Sequence, residues 1–100
     1  MIEEAEAYVS AVSPWEIAAK HRLGKLPQAD LIMPRFWALL DQSKFVGLPI
    51  TLAHGFRGAT VEVEHADPFD RLLAAQAELE DLVLITRDPA FASFPCVTHW

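Results

Sequence analysis

The segment HADPFDRLLAAQAELEDLVLITRD, residues 65–88, predicts a helix followed by a buried strand. Asp67 precedes Pro68, and Asp70 follows three positions after Asp67, an order typical of a helix N-terminus. Apolar side chains then recur at helical spacing. Residues 82–86, LVLIT, form an unbroken apolar run, which is typical of a parallel strand covered on both faces.

A second helix start lies upstream, in the segment SPWE at residues 13–16. A capping serine precedes a proline, and an acid follows three residues after the serine, which is the pattern of a capping box. It predicts a helix over 14–23, ended by Gly24 in a left-handed conformation. The β-favouring residues 8–12 predict a short strand just before this helix.

The remaining segments continue the alternation of helices and strands. They predict helices over 34–43 and after Asp88-Pro89, and strands over 45–51 and 96–100. Residues 52–65 are ambiguous, because their first half fits a short helix broken at Gly58 and their second half alternates like a strand.

This alternation predicts a layered α/β fold in a single domain over residues 1–100, with a mainly parallel sheet. In such folds, ligands gather at the carboxyl ends of the strands. Glu16 and Asp88 both follow a predicted strand by a few residues. We therefore expect both acids at one rim of the sheet.

The charge of the chain limits how it can contact nucleic acid. Fourteen Asp and Glu residues against eight Lys and Arg residues give a net charge of −6. A general nucleic-acid-binding surface would be basic, so any such contact should be local or assisted by a metal ion. The basic residues Lys20, Arg22 and Lys25 cluster with His21. They either complement the dipole at a helix C-terminus or form a phosphate-contacting patch.

Compartment and membrane association can also be judged from the sequence. The single cysteine, Cys96, excludes an internal disulfide, which is consistent with a reducing, cytoplasmic location. No apolar run approaches the ~18 residues needed to cross a bilayer. The N-terminal segment MIEEAEAYVS is acidic where a secretory signal would be basic. We expect neither export nor membrane insertion.

Two explanations compete for the acids Glu16, Asp70 and Asp88. Each could serve only its local backbone, in a capping box, in a first helical turn or as a cap before proline, a role worth about 0.5–2 kcal/mol. If the three carboxylates converge instead, each pair repels by roughly 3 kcal/mol at ~5 Å and an effective dielectric near 20. Convergence therefore requires a cation, and oxygen ligands of this kind suit Mg²⁺ or Mn²⁺ better than zinc.

Other chemistries have weaker support. Cys96 has no obvious paired histidine, so a thiol nucleophile is not expected. The four histidines lack the spacing of a helical zinc pair; they are His21, His54, His65 and His99. A metal site of His65 with Asp67 competes with the interpretation of His65 as an ordinary loop histidine.

Two segments closely resemble the signature segments of PIN-domain ribonucleases, in particular the VapC-type toxins of bacterial toxin–antitoxin pairs. They are VSAVSPWEIAAKHRLGKL at residues 9–26 and HADPFDRLLAAQAELEDLVLITRDPAF at residues 65–91. Trp-Glu-Ile, Asp-Pro-Phe-Asp-Arg and Thr-x-Asp occur in the order of that family, and the resemblance extends over nearly all of the chain.

The resemblance implies a three-layer α/β/α arrangement around the sheet, and it also implies a ligand set and a mechanism. Glu16, Asp70 and Asp88 correspond to family acids that bind Mg²⁺ or Mn²⁺, and Asp67 is then a helix cap. Polar groups that could support these ligands are Ser13, Thr86 and Asp67. The bound ions would activate a water molecule that attacks an RNA phosphodiester in line.

The resemblance also implies partners: a homodimer and a small antitoxin protein that occupies or distorts the site. Surface around Lys20, Arg22 and Lys25 would contact RNA or the antitoxin.

One departure from the family pattern concerns the N-terminus. Such proteins open with an apolar strand, central in the sheet, that ends in a metal-binding aspartate. Here Met1 to Ala5 resembles the tail of the second helix, and Glu3, Glu4 and Glu6 precede the first strand, where they cannot replace that aspartate. We therefore expect an N-terminally truncated domain with impaired cleavage of RNA. The alternatives are a non-catalytic module that binds antitoxin or dimerises, and an unrelated metal-dependent phosphohydrolase.

Overall fold

The computed structural model of the chain describes residues 7–100, except for the side chain of Ala29. The predicted helix tail over residues 1–5 lies outside the described residues. The chain divides into two compact units, one up to Pro49 and the other Ile50–Trp100. The organisation as a single domain stays a prediction.

The first unit contains short parallel strands and three α-helices within residues 7–49. Strands Tyr8–Ser10 and Val46–Leu48 pair in parallel, with Tyr8 opposite Val46. Both lie where strands were predicted, but each has only three residues. The elements in chain order are β1 Tyr8–Ser10, α1 Val12–Arg22, α2 Ala29–Ile32, a 3₁₀ turn Met33–Arg35, α3 Phe36–Ser43 and β2 Val46–Leu48. The helix predicted over 34–43 ends as expected, but its first turn is 3₁₀.

Helix α1 begins two residues earlier than its capping signal predicts. The Ser10 hydroxyl accepts a hydrogen bond from the backbone N–H of Val12 at 3.0 Å, which satisfies a donor before Ser13 is reached. Val12 is fully buried, so packing also favours this start. The predicted capping box of Ser13 and Glu16 is therefore wrong. The predicted end is confirmed, because Gly24 adopts a φ of 70° just after the helix.

The second unit consists of two packed helices followed by short parallel strands. Its elements are α4 Leu52–Thr60, α5 Pro68–Leu79, β3 Leu84–Ile85, a 3₁₀ turn Pro89–Ser93 and β4 Thr98–His99. Strands β3 and β4 pair in parallel, with Leu84 opposite Thr98. The α/β class and the parallel pairing predicted from the sequence are confirmed.

Helix α5 begins where its sequence predicts. Asp67 Oδ1 accepts hydrogen bonds from the backbone N–H groups of Phe69 at 2.9 Å and Asp70 at 3.4 Å. Pro68 occupies the first helical position, where its missing N–H costs nothing. This side-chain cap fixes the direction in which α5 leaves the preceding loop.

Gly58 does not break helix α4, contrary to one of the two predictions for residues 52–65. A Cβ atom at this position would lie 3.3 Å from the carbonyl oxygen of Arg71 and 3.5 Å from the Cα of Leu72. Gly58 is therefore the point at which α4 approaches the backbone of α5, and the helix continues to Thr60.

The apolar core of the second unit lies beside α5. Its buried members are Val61, Ala74, Phe91 and Phe94. Ala74, Ala75 and Ala77 are buried small residues on α5, and they let neighbouring segments pack close to the helix. Within residues 7–100, no helix has both the length and the apolar character required to cross a membrane.

Candidate functional site

Asp70 lies in the first turn of α5, but it is not the cap of that helix. Its Oδ2 atom accepts a hydrogen bond from His65 Nε2 at 2.8 Å. The side chain of Asp70 is 18 % exposed and that of His65 is 22 % exposed. Asp70 therefore occupies the first helical turn as predicted, where its charge complements the helix dipole, while Asp67 provides the cap.

Asp88 follows β3 and does serve its local backbone. Its Oδ1 atom accepts a hydrogen bond from the N–H of Ala90 at 3.0 Å, which caps the 3₁₀ turn. The N–H of Asp88 in turn donates to Thr86 Oγ1 at 3.1 Å. Thr86 thus orients the backbone that carries the acid. The helix predicted after Asp88-Pro89 is the 3₁₀ turn, and the predicted cap is confirmed.

Glu16 lies inside α1 in the first unit and makes no capping contact with the start of the helix. Its Oε2 atom is 2.6 Å from Lys20 Nζ, one helical turn away. The Glu16 side chain is 19 % exposed, whereas that of Lys20 is 44 % exposed. Ser13 lies in the first turn of the same helix and is half-buried.

The basic cluster lies at the C-terminal end of α1. Lys20, His21 and Arg22 occupy the last helical turn, where positive charge complements the helix dipole. His21 Nε2 also pairs with Asp30 Oδ1. Arg22 and Lys25 are exposed. The dipole interpretation is therefore consistent with the geometry, and the phosphate-contacting interpretation stays a prediction for Lys20, Arg22 and Lys25.

The strand-like segment between α4 and α5 contains a contact network that the sequence did not predict. No strand pairs with residues 61–65 within the part of the chain that the structure describes. The guanidinium group of Arg71 instead binds carbonyl oxygens of this segment and of the last turn of α4. It donates to the carbonyls of Gly58, Ala59, Val61, Val63 and His65, at 2.6–3.4 Å.

His65 is held on its other side by aromatic packing. Its ring meets the ring of Phe94 edge-on, with the centroids 5.4 Å apart, and lies 6.5 Å from that of Phe91. The alternative in which His65 acts with Asp67 is not what the geometry shows, because the carboxylate that accepts from His65 Nε2 is that of Asp70. The sequence signal that could have found this pair is the five-residue spacing of His65 and Asp70 across the helix cap.

The buried His54 has a structural explanation. Its Nδ1 atom accepts from the N–H of Thr51 at 3.0 Å, and the Thr51 hydroxyl accepts from the N–H of His54, so the two residues form a capping box at α4. The Nε2 atom of His54 donates to Glu80 Oε1 at 2.8 Å. His54 therefore connects the start of α4 to the residue after α5.

Cys96 is a poor candidate for a nucleophile. Burial raises the pKa of its thiol, and the negative charge of Glu78 raises that pKa further. The thiolate, which is the reactive form, is correspondingly scarce at neutral pH.

An apolar cavity of ≈ 350 Å³ lies within the first unit. Side chains that line it include those of Pro14, Phe36, Trp37, Leu40 and Leu48.

Of the three predicted ligands, Glu16 lies in the first unit and Asp70 and Asp88 lie in the second, and the ligand set stays a prediction. Within residues 7–49, and separately within 50–100, no group of three His, Cys, Asp or Glu side chains forms a metal-binding cluster. The donor chemistry nevertheless suits a hard ion, since all three offer oxygen atoms.

Comparison with known families identifies the class of protein. The family model of the PIN domain matches residues 1–95, and the chain belongs to this family. PIN domains are typically nucleases that act on RNA, and they usually bind divalent metal ions. No curated protein and no solved structure gives a significant match to the chain.

Proposed function

We propose that the chain is a VapC-type toxin of a toxin–antitoxin pair, acting as an endoribonuclease that depends on Mg²⁺ or Mn²⁺. Glu16, Asp70 and Asp88 are the proposed metal ligands. Family membership supports the reaction class, and the three acids occur in the segments that resemble the family's motifs. When bound, the ion would activate water and stabilise the charge that develops on the phosphate.

The observation that carries this proposal is the position of Asp70. An acid in a first helical turn complements the helix dipole, but this role requires neither burial of the carboxylate nor a side-chain partner. The carboxylate of Asp70 is partly buried and accepts a hydrogen bond from His65. Glu16 makes no capping contact. Glu16 and Asp70 are therefore not helix caps, and the partial burial of both carboxylates supports a role beyond the helix ends.

Substrate and partners follow from the same proposal. Arg22 and Lys25 are exposed near the end of α1 and would contact RNA phosphates or an acidic stretch of the antitoxin. The apolar cavity beside Trp37 would accommodate apolar side chains of the antitoxin, which supports such a partner. A homodimer is part of the proposal as well.

Calorimetric titration with Mn²⁺ tests the metal site. Asp70→Asn and Asp88→Asn should each abolish binding or reduce it strongly, because each removes a negatively charged ligand. Asp88→Asn is the sharper variant, since asparagine caps a helical turn about as well as aspartate does. Asp81→Asn is the matched control, because it removes the same charge from an exposed position of the second unit, and it should bind Mn²⁺ like the unmodified chain.

Incubation with single-stranded RNA tests the activity. Cleavage that requires Mg²⁺ or Mn²⁺ and disappears in Asp70→Asn and Asp88→Asn would support the nuclease. Unchanged Mn²⁺ affinity in both variants would refute the proposed ligands. Antitoxin binding without any cleavage would favour the non-catalytic module, and hydrolysis of small phosphate esters but not RNA would favour a different phosphohydrolase.

A further inference from the structure

We infer, on the basis of the proposed metal site, that His65 is a positioning residue for Asp70 and that Arg71 fixes His65 in place. Two hydrogen bonds connect these residues: Arg71 donates to the backbone carbonyl of His65, and the His65 ring donates to the Asp70 carboxylate. Both lie within the second unit. This arrangement assigns a role to the arginine of the segment DPFDR other than contact with phosphate.

The hydrogen-bonding capacity of Arg71 is filled by the protein backbone. A guanidinium group has five N–H donors. Its Nε atom donates to Gly58, its Nη1 atom to Val63 and His65, and its Nη2 atom to Ala59 and Val61. These five contacts match the five donors, so Arg71 organises the loop.

The loop needs this organisation because its own hydrogen bonds are local. The N–H of Val63 donates to the carbonyl of Val61 at 3.0 Å, and the N–H of His65 donates to that of Val63 at 2.9 Å. In such three-residue turns, each carbonyl oxygen keeps the capacity to accept from a second donor. Arg71 supplies that donor along the whole segment, up to His65 itself.

The ring of His65 is then restrained from two directions. Arg71 holds the backbone carbonyl at 2.8 Å, while Phe94 packs against the ring. These contacts hold the Nε2 atom of His65 at 2.8 Å from Asp70 Oδ2. A hydrogen-bond donor at a fixed point restricts the rotation of the carboxylate.

A restricted carboxylate binds a cation better than a freely rotating one. Groups that hydrogen-bond to metal ligands typically contribute 10–100-fold to metal affinity or activity. We expect the His65 contact to act on Mn²⁺ affinity in this range. The effect requires only geometry, because His65 itself is not a ligand in this arrangement.

Substitution of His65 tests the role of its hydrogen bond. His65→Phe keeps an aromatic ring against Phe91 and Phe94 but removes the donor, so Mn²⁺ affinity should fall 10–100-fold. His65→Gln places an amide N–H near the position of Nε2 and should recover most of the affinity. His65→Asn has the same polar group on a shorter side chain and should not. Mn²⁺ affinity is measured calorimetrically, and the melting temperature without metal is recorded for each variant.

Two matched controls separate positioning from general stability. His21 also pairs with an aspartate, the exposed Asp30, so His21→Phe removes a comparable contact elsewhere. This variant should leave Mn²⁺ affinity unchanged. Arg71→Lys replaces five donors by three and should lower the affinity, whereas Arg57→Lys, which alters the ion pair with Glu78, should not.

The outcomes distinguish this inference from the proposed function. Loss of Mn²⁺ binding in Asp70→Asn together with unchanged affinity in His65→Phe would overturn the role of His65 and leave the metal site standing. Equal affinities of the Gln and Asn variants would also overturn it, even if His65→Phe did not fold. If the unmodified chain bound no Mn²⁺, the metal site and the positioning role would both be refuted.

Discussion

Asp67 and Asp70 stand three residues apart at the start of α5 and make different contacts. Asp67 accepts from two backbone N–H groups, whereas Asp70 accepts from the side chain of His65. The sequence predicted the first contact because a cap depends only on neighbouring residues. It could not predict the second, which depends on the path of the loop that carries His65.

The cap formed by Asp67 gives a prediction about stability. Asp67→Ala removes the acceptor of both hydrogen bonds and should lower the free energy of unfolding by about 1 kcal/mol. Asp67→Asn keeps an acceptor and should be nearly neutral. Urea unfolding followed by circular dichroism measures both. Equal stability of the Ala and Asn variants would show that the cap contributes nothing.

The acids themselves were predicted to different degrees. Their identity as candidates came from position in the sequence and from resemblance to a family, and the three-ligand set stays a prediction. The predicted local role of Asp88 is confirmed, whereas that of Glu16 is wrong because Ser10 accepts from Val12 at the start of α1. Ser10 lies three residues before Ser13, the expected cap, and no sequence pattern marks its hydroxyl as the acceptor at the start of the helix.

At the scale of elements, helices with local start and stop signals were predicted best. Helix α5 follows its cap and proline, and α1 ends before Gly24 as expected. Residues 61–65 have the alternation of a strand, but Arg71 takes the place of a neighbouring strand. Alternation reports that one face is buried, and it does not report what binds the backbone.

The contact between α4 and α5 includes an ion pair whose contribution should depend on pH. Arg57 Nε and Nη2 donate to the Glu78 carboxylate at 2.6 and 2.9 Å. The hydrogen bond from Arg57 lowers the pKa of Glu78 below its ordinary value. An acid with a lowered pKa stabilises the folded state above its ordinary pKa, and that stabilisation is lost as the pH falls through the lowered value.

Glu78→Gln should therefore lower the melting temperature at neutral pH. The difference from the unmodified chain should shrink as the pH falls below about 4.3, the ordinary pKa of a glutamate. Glu62→Gln is a suitable control, since Glu62 is exposed in the same unit. Melting temperatures between neutral and acidic pH measure the effect. A difference that stays constant across this range would contradict the ion-pair explanation.

At the scale of the whole molecule, charge is distributed unevenly. Residues 7–49 contain five Lys and Arg against three Asp and Glu, whereas residues 50–100 contain three Arg against eight Asp and Glu. In the second unit, the Arg71 guanidinium is bound to carbonyl oxygens, and Arg57 is paired with Glu78. Arg87, the third arginine of this unit, is exposed and lies 5.2 Å from the centroid of the Trp100 ring. Within residues 7–100, most exposed cations available to RNA therefore lie in the first unit. An RNA contact made by the second unit has to use Arg87, use a metal cation or overcome repulsion.

This distribution predicts how RNA affinity depends on salt. Each phosphate contact on a single strand contributes about −0.7 to the slope of log affinity against log salt concentration. If Arg22 and Lys25 each contact a phosphate, the double variant Arg22→Gln/Lys25→Gln should bind with a slope about 1.4 shallower than the unmodified chain. Fluorescence anisotropy with labelled single-stranded RNA, without divalent ions, measures both slopes.

The variant Arg35→Gln/Lys44→Gln removes the same charge from other parts of the first unit, so it controls for net charge alone. Its slope should equal that of the unmodified chain if RNA contacts the end of α1 specifically. Equal changes in both double variants would indicate diffuse attraction by the whole unit. No change in Arg22→Gln/Lys25→Gln would remove RNA as the ligand of this cluster, and the antitoxin would then be the partner that these two cations serve.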